Sequence, residues 1–257
     1  MVDFFKLSDS TTAKNAFTGV HNYCNHLNKN PSYKSLEFKE SCAEHFGSFT
    51  CSNNEPYTTG NMASSYCLDH RKCVRNLIED LQPLSNNVNN YFKDKHSKLY
   101  AKMEKLNLGP NVPKSFGTFP TIAINYNTIS GFHRDVKDHP NTLCVVCPLG
   151  SFEGGQLVFP KLKLVIHAKQ GQAIAFRSHI LIHGNLDIFF GNRHSVVFFI
   201  HGTCIKQSRK FSKLNMVWNL DDYNNDNDNS KKLKSGFKIK DPLRRAYFGK
   251  YFNYFKF

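Results

Sequence analysis

The chain has 257 residues, 40% of them hydrophobic and 21% charged, which suits a globular protein with a sizeable core. No run approaches the roughly eighteen consecutive apolar residues that a membrane-spanning helix needs, so we expect no membrane partner. The formal net charge of +14 favours a polyanionic partner instead.

The eight cysteines bear on the redox compartment. Residues 1–6 lack the charged start and apolar centre of a signal peptide, so we expect an intracellular protein whose cysteines are buried thiols. Five cysteines precede residue 74 and lie near histidines, which leaves a structural zinc site open beside ordinary packing. Cys144 and Cys147 have redox spacing, but they fall in an apolar run that predicts a strand. Because residues three apart on a strand point to opposite faces, we interpret this pair as core.

Residues 1–67 are polar and show no sustained hydrophobic period, so we predict an irregular amino-terminal region. Helical spacing begins at Leu68, with apolar residues at offsets of three and four: Val74, Leu77, Ile78 and Leu81. Pro83 is expected to end this first helix, and a second helix is predicted from Val88 to Leu106, before Gly109. We interpret the two helices as a buttress packed on a sheet.

From residue 118 the pattern changes to short strands. We predict them at 118–126, 142–148, 156–159, 163–167, 172–176, 180–183, 186–190 and 193–201, with a Gly-rich turn at 150–155. The absence of intervening helices excludes parallel βαβ units. Short, closely spaced strands separated by turns indicate a sandwich or jelly roll.

The segment after Cys204 carries 13 Lys and Arg against 5 Asp, a net of +8. Residues 221–230 are of low complexity, so we predict a basic, partly disordered tail over 205–257. Its end interleaves cations with rings that could stack on bases. The same rings recur every four residues and suit an amphipathic helix equally. We expect a nuclear location on the basis of the small basic cluster at residues 231–234.

Two histidines and one carboxylate form the candidate chemical site. His133 and Asp135 are two apart beside a turn, so on an extended backbone their side chains leave the same face. His183, at the end of a predicted strand, supplies a second imidazole. On a β scaffold this is the ligand set of a non-haem Fe(II) with open coordination positions. Four further histidines are rival ligands: His139, His179, His194 and His201.

A cation follows the second imidazole. Arg193 and Ser195 share a strand face, and a guanidinium beside a hydroxyl suits a carboxylate. Asn125, on the strand that enters the site, is a further candidate for hydrogen bonding to the same ligand.

Residues from about 88 to 203 resemble the 2-oxoglutarate and Fe(II)-dependent dioxygenases, and more narrowly their TET/JBP-like branch found in fungal genomes. The resemblance rests on residues 119–125, 132–138, 152–157, 171–176, 182–185 and 191–198. It implies a mainly β (α+β) protein with a helical buttress, whose core at 68–204 is a double-stranded β-helix (jelly roll).

The resemblance also implies roles for site residues. His133, Asp135 and His183 would be the iron ligands, with His183 preferred because it precedes Arg193 by ten residues. Arg193 would bind the distal carboxylate of 2-oxoglutarate, with Ser195 assisting.

The implied reaction is O₂-dependent oxidation of a methyl group on a DNA base, 5-methylcytosine or thymine, through a ferryl intermediate. Fe(II) would be the cofactor, 2-oxoglutarate the co-substrate and DNA the partner of a monomeric enzyme. Two alternatives stay open: a protein side-chain hydroxylase of the prolyl type, and a non-catalytic DNA-binding relative.

Overall fold

The computed structural model describes residues 1–30, 43–49, 57–63 and 68–206. Its helices are α1 (Ser10–Lys29), α2 (Gly60–Ala63), α3 (Leu68–Lys95) and α4 (Ser97–Glu104). Its strands are β1 (Val2–Lys6), β2 (Ala43–Phe49), β3 (Tyr57–Thr58), β4 (Thr121–Asn125), β5 (Cys144–Leu149), β6 (Phe152–Gly154), β7 (Leu157–Phe159), β8 (Leu164–Ile166), β9 (Gln172–Phe176), β10 (Gly184–Asn185), β11 (Ile188–Gly191) and β12 (His194–Phe199). No helix in these residues is long and apolar enough to cross a membrane.

The strands form one large and two small antiparallel sheets. The large sheet has the order β1-β9-β5-β12-β4-β2-β3, and the small sheets are β10-β7-β8 and β11-β6. Helices α1 and α3 pack on one face of the large sheet through a shared core. This arrangement confirms the predicted jelly roll with a helical buttress.

The two faces of the large sheet bury different residues, as the alternation of a strand requires. On β12, Val196 and Phe198 lie in the core shared with the helices, whereas Val197 and Phe199 pack against a second, smaller cluster inside the jelly roll. On β5, Cys147 faces the helices and Cys144 faces the smaller cluster. Both thiols are free and buried, which agrees with their interpretation as core.

The prediction of an irregular region over residues 1–67 is wrong for residues 2–6, 10–29 and 43–49, because β1, α1 and β2 belong to the fold. β1 pairs along its length with β9. Phe5 stacks on Tyr91 of α3 with ring centroids 3.7 Å apart, and Asp3 lies 2.8 Å from His96 Nε2. Helix α1 begins after Asp9, whose carboxylate accepts from the Thr11 amide as an N-cap. The first part of the chain is thus built into the sheet and the helical layer.

Pro83 does not end its helix, contrary to the prediction, since α3 continues to Lys95. A proline inside a helix costs about 3 kcal/mol. Burying one leucine side chain contributes about 1.5–3 kcal/mol. Leu81 and Leu84 are both fully buried on either side of the proline. Packing therefore outweighs the lost hydrogen bond, and the break between helices lies at His96.

Two predicted β features also need correction. Residues 180–182 form turns and bends rather than a strand, His183 makes an isolated bridge, and β10 begins only at Gly184. The Gly-rich segment 150–155 contains the short strand β6. The predicted tail beyond residue 206 and Cys42, Cys51 and Cys67 lie outside the described residues. Within the described ranges, no group of Cys and His side chains that could hold zinc is found.

Candidate metal centre

His133 and His183 face each other across a short antiparallel bridge. The amide of each donates to the carbonyl of the other, and both N···O distances are 2.9 Å. Their ring centroids are 4.4 Å apart. Paired backbones therefore place both imidazoles at one spot.

Asp135 completes the cluster. Its Oδ1 lies 3.4 Å from His133 Nε2, and its Oδ2 lies 3.6 Å from His183 Nε2. One ligand atom from each of the three residues lies within 4.8 Å of the others. The three side chains predicted as ligands thus come together, and their role as iron ligands stays a prediction.

The second nitrogen of each imidazole is held by the backbone. His133 Nδ1 lies 2.7 Å from the Gly131 carbonyl oxygen, and His183 Nδ1 lies 3.0 Å from that of Leu181. A carbonyl oxygen only accepts, so each Nδ1 carries the proton and each Nε2 presents a lone pair toward the carboxylate of Asp135. Metal-binding histidines are commonly oriented in this way.

The electrostatics of the cluster suit a bound cation. Burial raises the pKa of Asp135, but its contact with His133 and the positive charge that the rings of His183 and His133 carry when protonated outweigh burial and lower that pKa overall. The same carboxylate raises the pKa of His133. Burial lowers the pKa of His183. An ionised carboxylate beside a neutral imidazole is the donor set that a divalent metal requires.

A closed circuit of hydrogen bonds fixes the loop that carries Asp135. The Asp135 amide donates to the Ser178 carbonyl at 3.1 Å, and the Asp138 amide donates to the Asp135 carbonyl at 2.8 Å. The Ser178 hydroxyl then donates to Asp138 Oδ2 at 2.6 Å. Burial and the neighbouring Asp135 raise the pKa of Asp138 to about 7. The circuit ties the ligand loop to the turn that leads to His183.

The buried rings of Phe176 and Phe159, here called the aromatic floor, pack against one side of the His183 imidazole. The ring of Phe176 meets the imidazole edge-on at 4.7 Å, and Phe159 lies 6.4 Å away. Both phenylalanines belong to the small buried cluster inside the jelly roll. The floor keeps water away from one side of the cluster, whereas His133 is half-exposed on the other side.

Arg193 is a buried cation whose Nε finds no hydrogen-bond partner among the described residues. Its residue is 4% exposed, and burial lowers its pKa to about 10, so it is still charged at neutral pH. Its guanidinium carbon lies 5.6 Å from the ring of Phe152. A buried guanidinium of this kind suits an anionic ligand.

Gly155 makes room for the arginine side chain. A Cβ added at Gly155, whose φ is +65°, would lie 2.7 Å from Arg193 Cδ. The carbonyl of Gly155 accepts from Asn185 Nδ2 at 3.1 Å, two residues after His183. This contact links the arginine's surroundings to the metal-binding cluster.

Ser195 lies two residues after Arg193 and pairs with Asn125 of the neighbouring strand β4. Asn125 Nδ2 donates to Ser195 Oγ at 3.2 Å. The Asn125 amide thus meets the hydroxyl predicted to assist with 2-oxoglutarate.

The rival histidines lie outside the cluster. His194 points toward the helical layer, where its Nδ1 accepts from the Asn127 amide at 3.1 Å and its ring stacks near Phe17. His201 Nδ1 lies 2.7 Å from Thr203 Oγ1, and the His139 ring nitrogen accepts from the Asn141 amide. His179 belongs to no such group in the described residues.

Sequence reasoning missed four residues near the centre. Ser178 and Asp138 form the circuit, Gly155 clears space for Arg193, and His45 on β2 lies close enough to Asp135 and Asp138 to stabilise their charges. A spacing signal existed only for Asp138, three residues after Asp135. Ser178 lies five residues before His183 but in no motif that marks it, and Gly155 and His45 are separated from the ligands by long stretches of chain.

These residues can hold a cation, accept an organic anion beside it and leave one side open. Residues 55–202 match the sequence model of Tet_JBP, described as the oxygenase domain of the 2OGFeDO superfamily. No curated protein sequence matches the chain.

Two solved structures are similar to this chain. NgTET1 in complex with 5mC DNA superposes with a TM-score of 0.51 and 17% identity over 83% of this chain and 80% of that chain. The viral collagen prolyl hydroxylase vCPH from Paramecium Bursaria Chlorella virus-1, in its 2OG complex, gives a TM-score of 0.39 and 14% identity over 78% and 94%.

Proposed function

We propose that this chain oxidises the methyl group of a methylated DNA base. The premise is that the chain belongs to the Tet_JBP family of oxygenase domains in the 2OGFeDO superfamily. The superfamily is Fe(II)- and 2-oxoglutarate-dependent, so the chain is an oxidoreductase. The base we propose is 5-methylcytosine or thymine, and the co-substrates are 2-oxoglutarate and O₂.

The observation that carries the proposal is the meeting of His133, Asp135 and His183 within 4.8 Å. The lone pairs of both Nε2 atoms and the ionised carboxylate supply three ligands and leave further coordination positions free for a co-substrate. The buried Nε of Arg193, unpartnered among the described residues, supplies a separate anion site. The residues present therefore fit both Fe(II) and a dicarboxylate.

When bound, Fe(II) with 2-oxoglutarate supplies the activation of O₂ that places an oxygen atom on a C–H carbon, with succinate and CO₂ as the other products. The protein's residues do the rest. Arg193 binds the distal carboxylate, and Ser195, held by Asn125, adds a hydroxyl. The floor of Phe176 and Phe159 excludes water beneath the cluster.

DNA as the substrate is supported by charge and by the likeness to NgTET1 in complex with 5mC DNA. The net charge is +14, and Arg134, Lys137 and Arg177 are exposed on the segments that flank the ligands. These cations are placed to contact phosphates. A base inside a duplex must be flipped out to reach the half-exposed side at His133, at a cost of a few kcal/mol.

Succinate release tests the proposal. The full chain is incubated with Fe(II), 2-oxoglutarate and oligonucleotides that carry 5-methylcytosine, thymine or unmethylated cytosine only. We expect succinate and an oxidised base with a methylated substrate, and neither product with His133→Ala. A protein that releases succinate with a proline-containing peptide and not with DNA would overturn the proposal. So would a protein that binds DNA but never turns over.

A further inference from the structure

Four exposed apolar side chains lie on two paired segments beside the metal centre: Ile129, Phe132, Phe189 and Phe190, here called the aromatic rim. Phe189 is 76% exposed and Phe190 72%, and Phe132 is 57% exposed. Large rings left in water cost free energy unless a partner covers them. Neither the iron ligands nor the anion site uses them.

The two segments, residues 127–133 and 183–191, run antiparallel. The Ser130 carbonyl accepts from the Asn185 amide at 2.9 Å, next to the bridge that joins His133 to His183. Farther along, residues 127–129 and 187–191 line a cavity of about 540 Å³ that contains Ile129, Phe189 and Phe190. The Asn127 side chain at the end of this cavity accepts from the Arg193 amide at 2.9 Å. The cavity thus lies beside the backbone of Arg193, and the same two segments lead on to the bridge between His133 and His183.

Phe132 stands at the metal end. Its ring lies over Gly184, where an added Cβ would come within 2.9 Å of Phe132 Cδ1. Phe132, which precedes His133, therefore lies against Gly184, which follows His183, on the half-exposed side of the metal centre.

Exposed cations lie on the segments that flank the metal centre. Arg134 follows His133, Lys137 lies in the next turn, and Arg177 precedes Ser178 of the hydrogen-bond circuit. Two exposed acids, Glu153 and Asp187, lie on the β6–β11 side, and Asp187 lines the cavity together with Phe189 and Phe190. At the metal end, Phe132 lies beside the cations, and a planar ring beside cations is the pattern that binds single-stranded nucleic acid, because every base offers a flat face and every nucleotide a phosphate.

We propose that the aromatic rim stacks on unpaired bases of the substrate DNA strand next to the base that enters the metal centre. The inference rests on the proposed function for the identity of the polymer. It adds a stacking site, with Phe189 and Phe190 as its principal contacts and Phe132 beside the metal centre. It also states a preference: a single strand or a locally opened duplex binds more tightly than a fully paired duplex.

Binding of a single-stranded oligonucleotide, followed by fluorescence anisotropy with the full chain, tests the site without any turnover. We expect Phe189→Ala and Phe190→Ala each to weaken binding by about tenfold, as for the loss of one stacked base. Phe190→Trp should bind about as tightly as the wild type, because tryptophan also offers a planar ring for stacking. Phe4→Ala is the matched control, because Phe4 is an exposed phenylalanine on the edge strand β1.

Salt dependence separates stacking from charge. The phenylalanine variants should keep the slope of log K against log salt, whereas Arg134→Ala should reduce it by roughly 0.7. A 2-aminopurine base in the strand should be quenched by the wild type and by Phe4→Ala, and less by Phe189→Ala.

Three results would overturn the inference. The first is unchanged binding and quenching in the phenylalanine variants. The second is a loss of self-association in sedimentation with DNA binding intact, which would mean that a second copy covers the rim. The third is weakened binding of a peptide with DNA binding intact. The binding assay needs no iron chemistry. If the wild type does not oxidise DNA but the phenylalanine variants still bind DNA more weakly than the wild type, only the proposed function is contradicted.

Discussion

His133 and His183 exchange both backbone hydrogen bonds, each 2.9 Å long, so the spacing between the two imidazoles is set by main-chain pairing. Their side chains need only small adjustments to meet a cation. Asp135, in contrast, depends on the circuit through Ser178 and Asp138.

Loss of any ligand should abolish metal binding. We expect His133→Ala, Asp135→Ala and His183→Ala each to lower the affinity for Co(II) or Fe(II) by more than about 100-fold, since even an outer partner of a ligand is worth 10–100-fold. Absorbance titration with Co(II) measures this directly. His179→Ala is the control, and an equal loss in that variant would show that the site is elsewhere.

Gly155→Ala should weaken 2-oxoglutarate binding while leaving metal affinity intact. The added Cβ would meet Arg193 Cδ at 2.7 Å and displace the guanidinium. We expect KM for 2-oxoglutarate to rise at least about tenfold, the equivalent of one charged hydrogen bond. Gly171→Ala carries a similar positive φ of +86° with nothing within 4 Å, so it controls for backbone strain alone. Equal KM values in the two variants would contradict this role for Arg193.

Ser178→Ala should loosen the ligand loop. Removing the hydroxyl leaves the buried Asp138 carboxylate without its 2.6 Å donor and opens the circuit around Asp135. We expect metal affinity to fall by about 10–100-fold, with recovery in Ser178→Thr. Ser130→Ala serves as the control because Ser130 contacts Asn185 through its backbone. Wild-type Co(II) affinity in Ser178→Ala would show that the circuit does not position Asp135.

Acid should destabilise the protein through His194. Burial, followed by the charge of His21, lowers the pKa of His194 from 6.5 to about 4. His194 therefore takes up a proton at a lower pH in the folded state than in the unfolded state. Stability is complete above pH 6.5 and is lost as pH falls toward 4, by up to about 3 kcal/mol.

The measurement is the free energy of unfolding in urea at pH 7 and pH 4.5 for wild type and His194→Asn. Asparagine keeps an acceptor for the Asn127 amide but cannot gain a proton. The variant should be less stable at pH 7, because ring contacts are lost, and should lose less stability on acidification. An identical pH dependence in both proteins would rule out His194 as its source.

The sheet and the ligand cluster were predictable because their signals are local. Strand patterns from residue 118 and the His133-x-Asp135 spacing involve neighbours in sequence. Gly155 and Arg193 are 38 positions apart and meet only because β6 and β11 pair, so no spacing could connect them. Their contact follows from the fold alone.

Helix α1 escaped prediction because small residues occupy part of its buried face and polar residues separate the larger apolar ones in the sequence. The residues it buries include Ala13, Ala16, Val20, Tyr23 and Leu27, at offsets of three and four. Alanines and interspersed asparagines keep the average hydropathy low, which hides that period. Strand β2 was hidden in another way, since the fully buried Glu44 occupies a core position where an apolar residue is expected. His45 was missed with it.

The nuclear location, the monomeric state, the domain boundaries and the basic tail stay predictions. Residues 207–257 lie outside the described part of the chain.

The pairing of β1 with β9 determines where the chain can be truncated without exposing a strand edge. The family match begins at residue 55, and a fragment trimmed to that boundary would lack both β1 and α1. It would uncover Tyr91 and the backbone edge of β9, and such an edge recruits other chains into aggregates. Recombinant versions should therefore keep residues 2–29, with any purification tag separated from β1 by a linker.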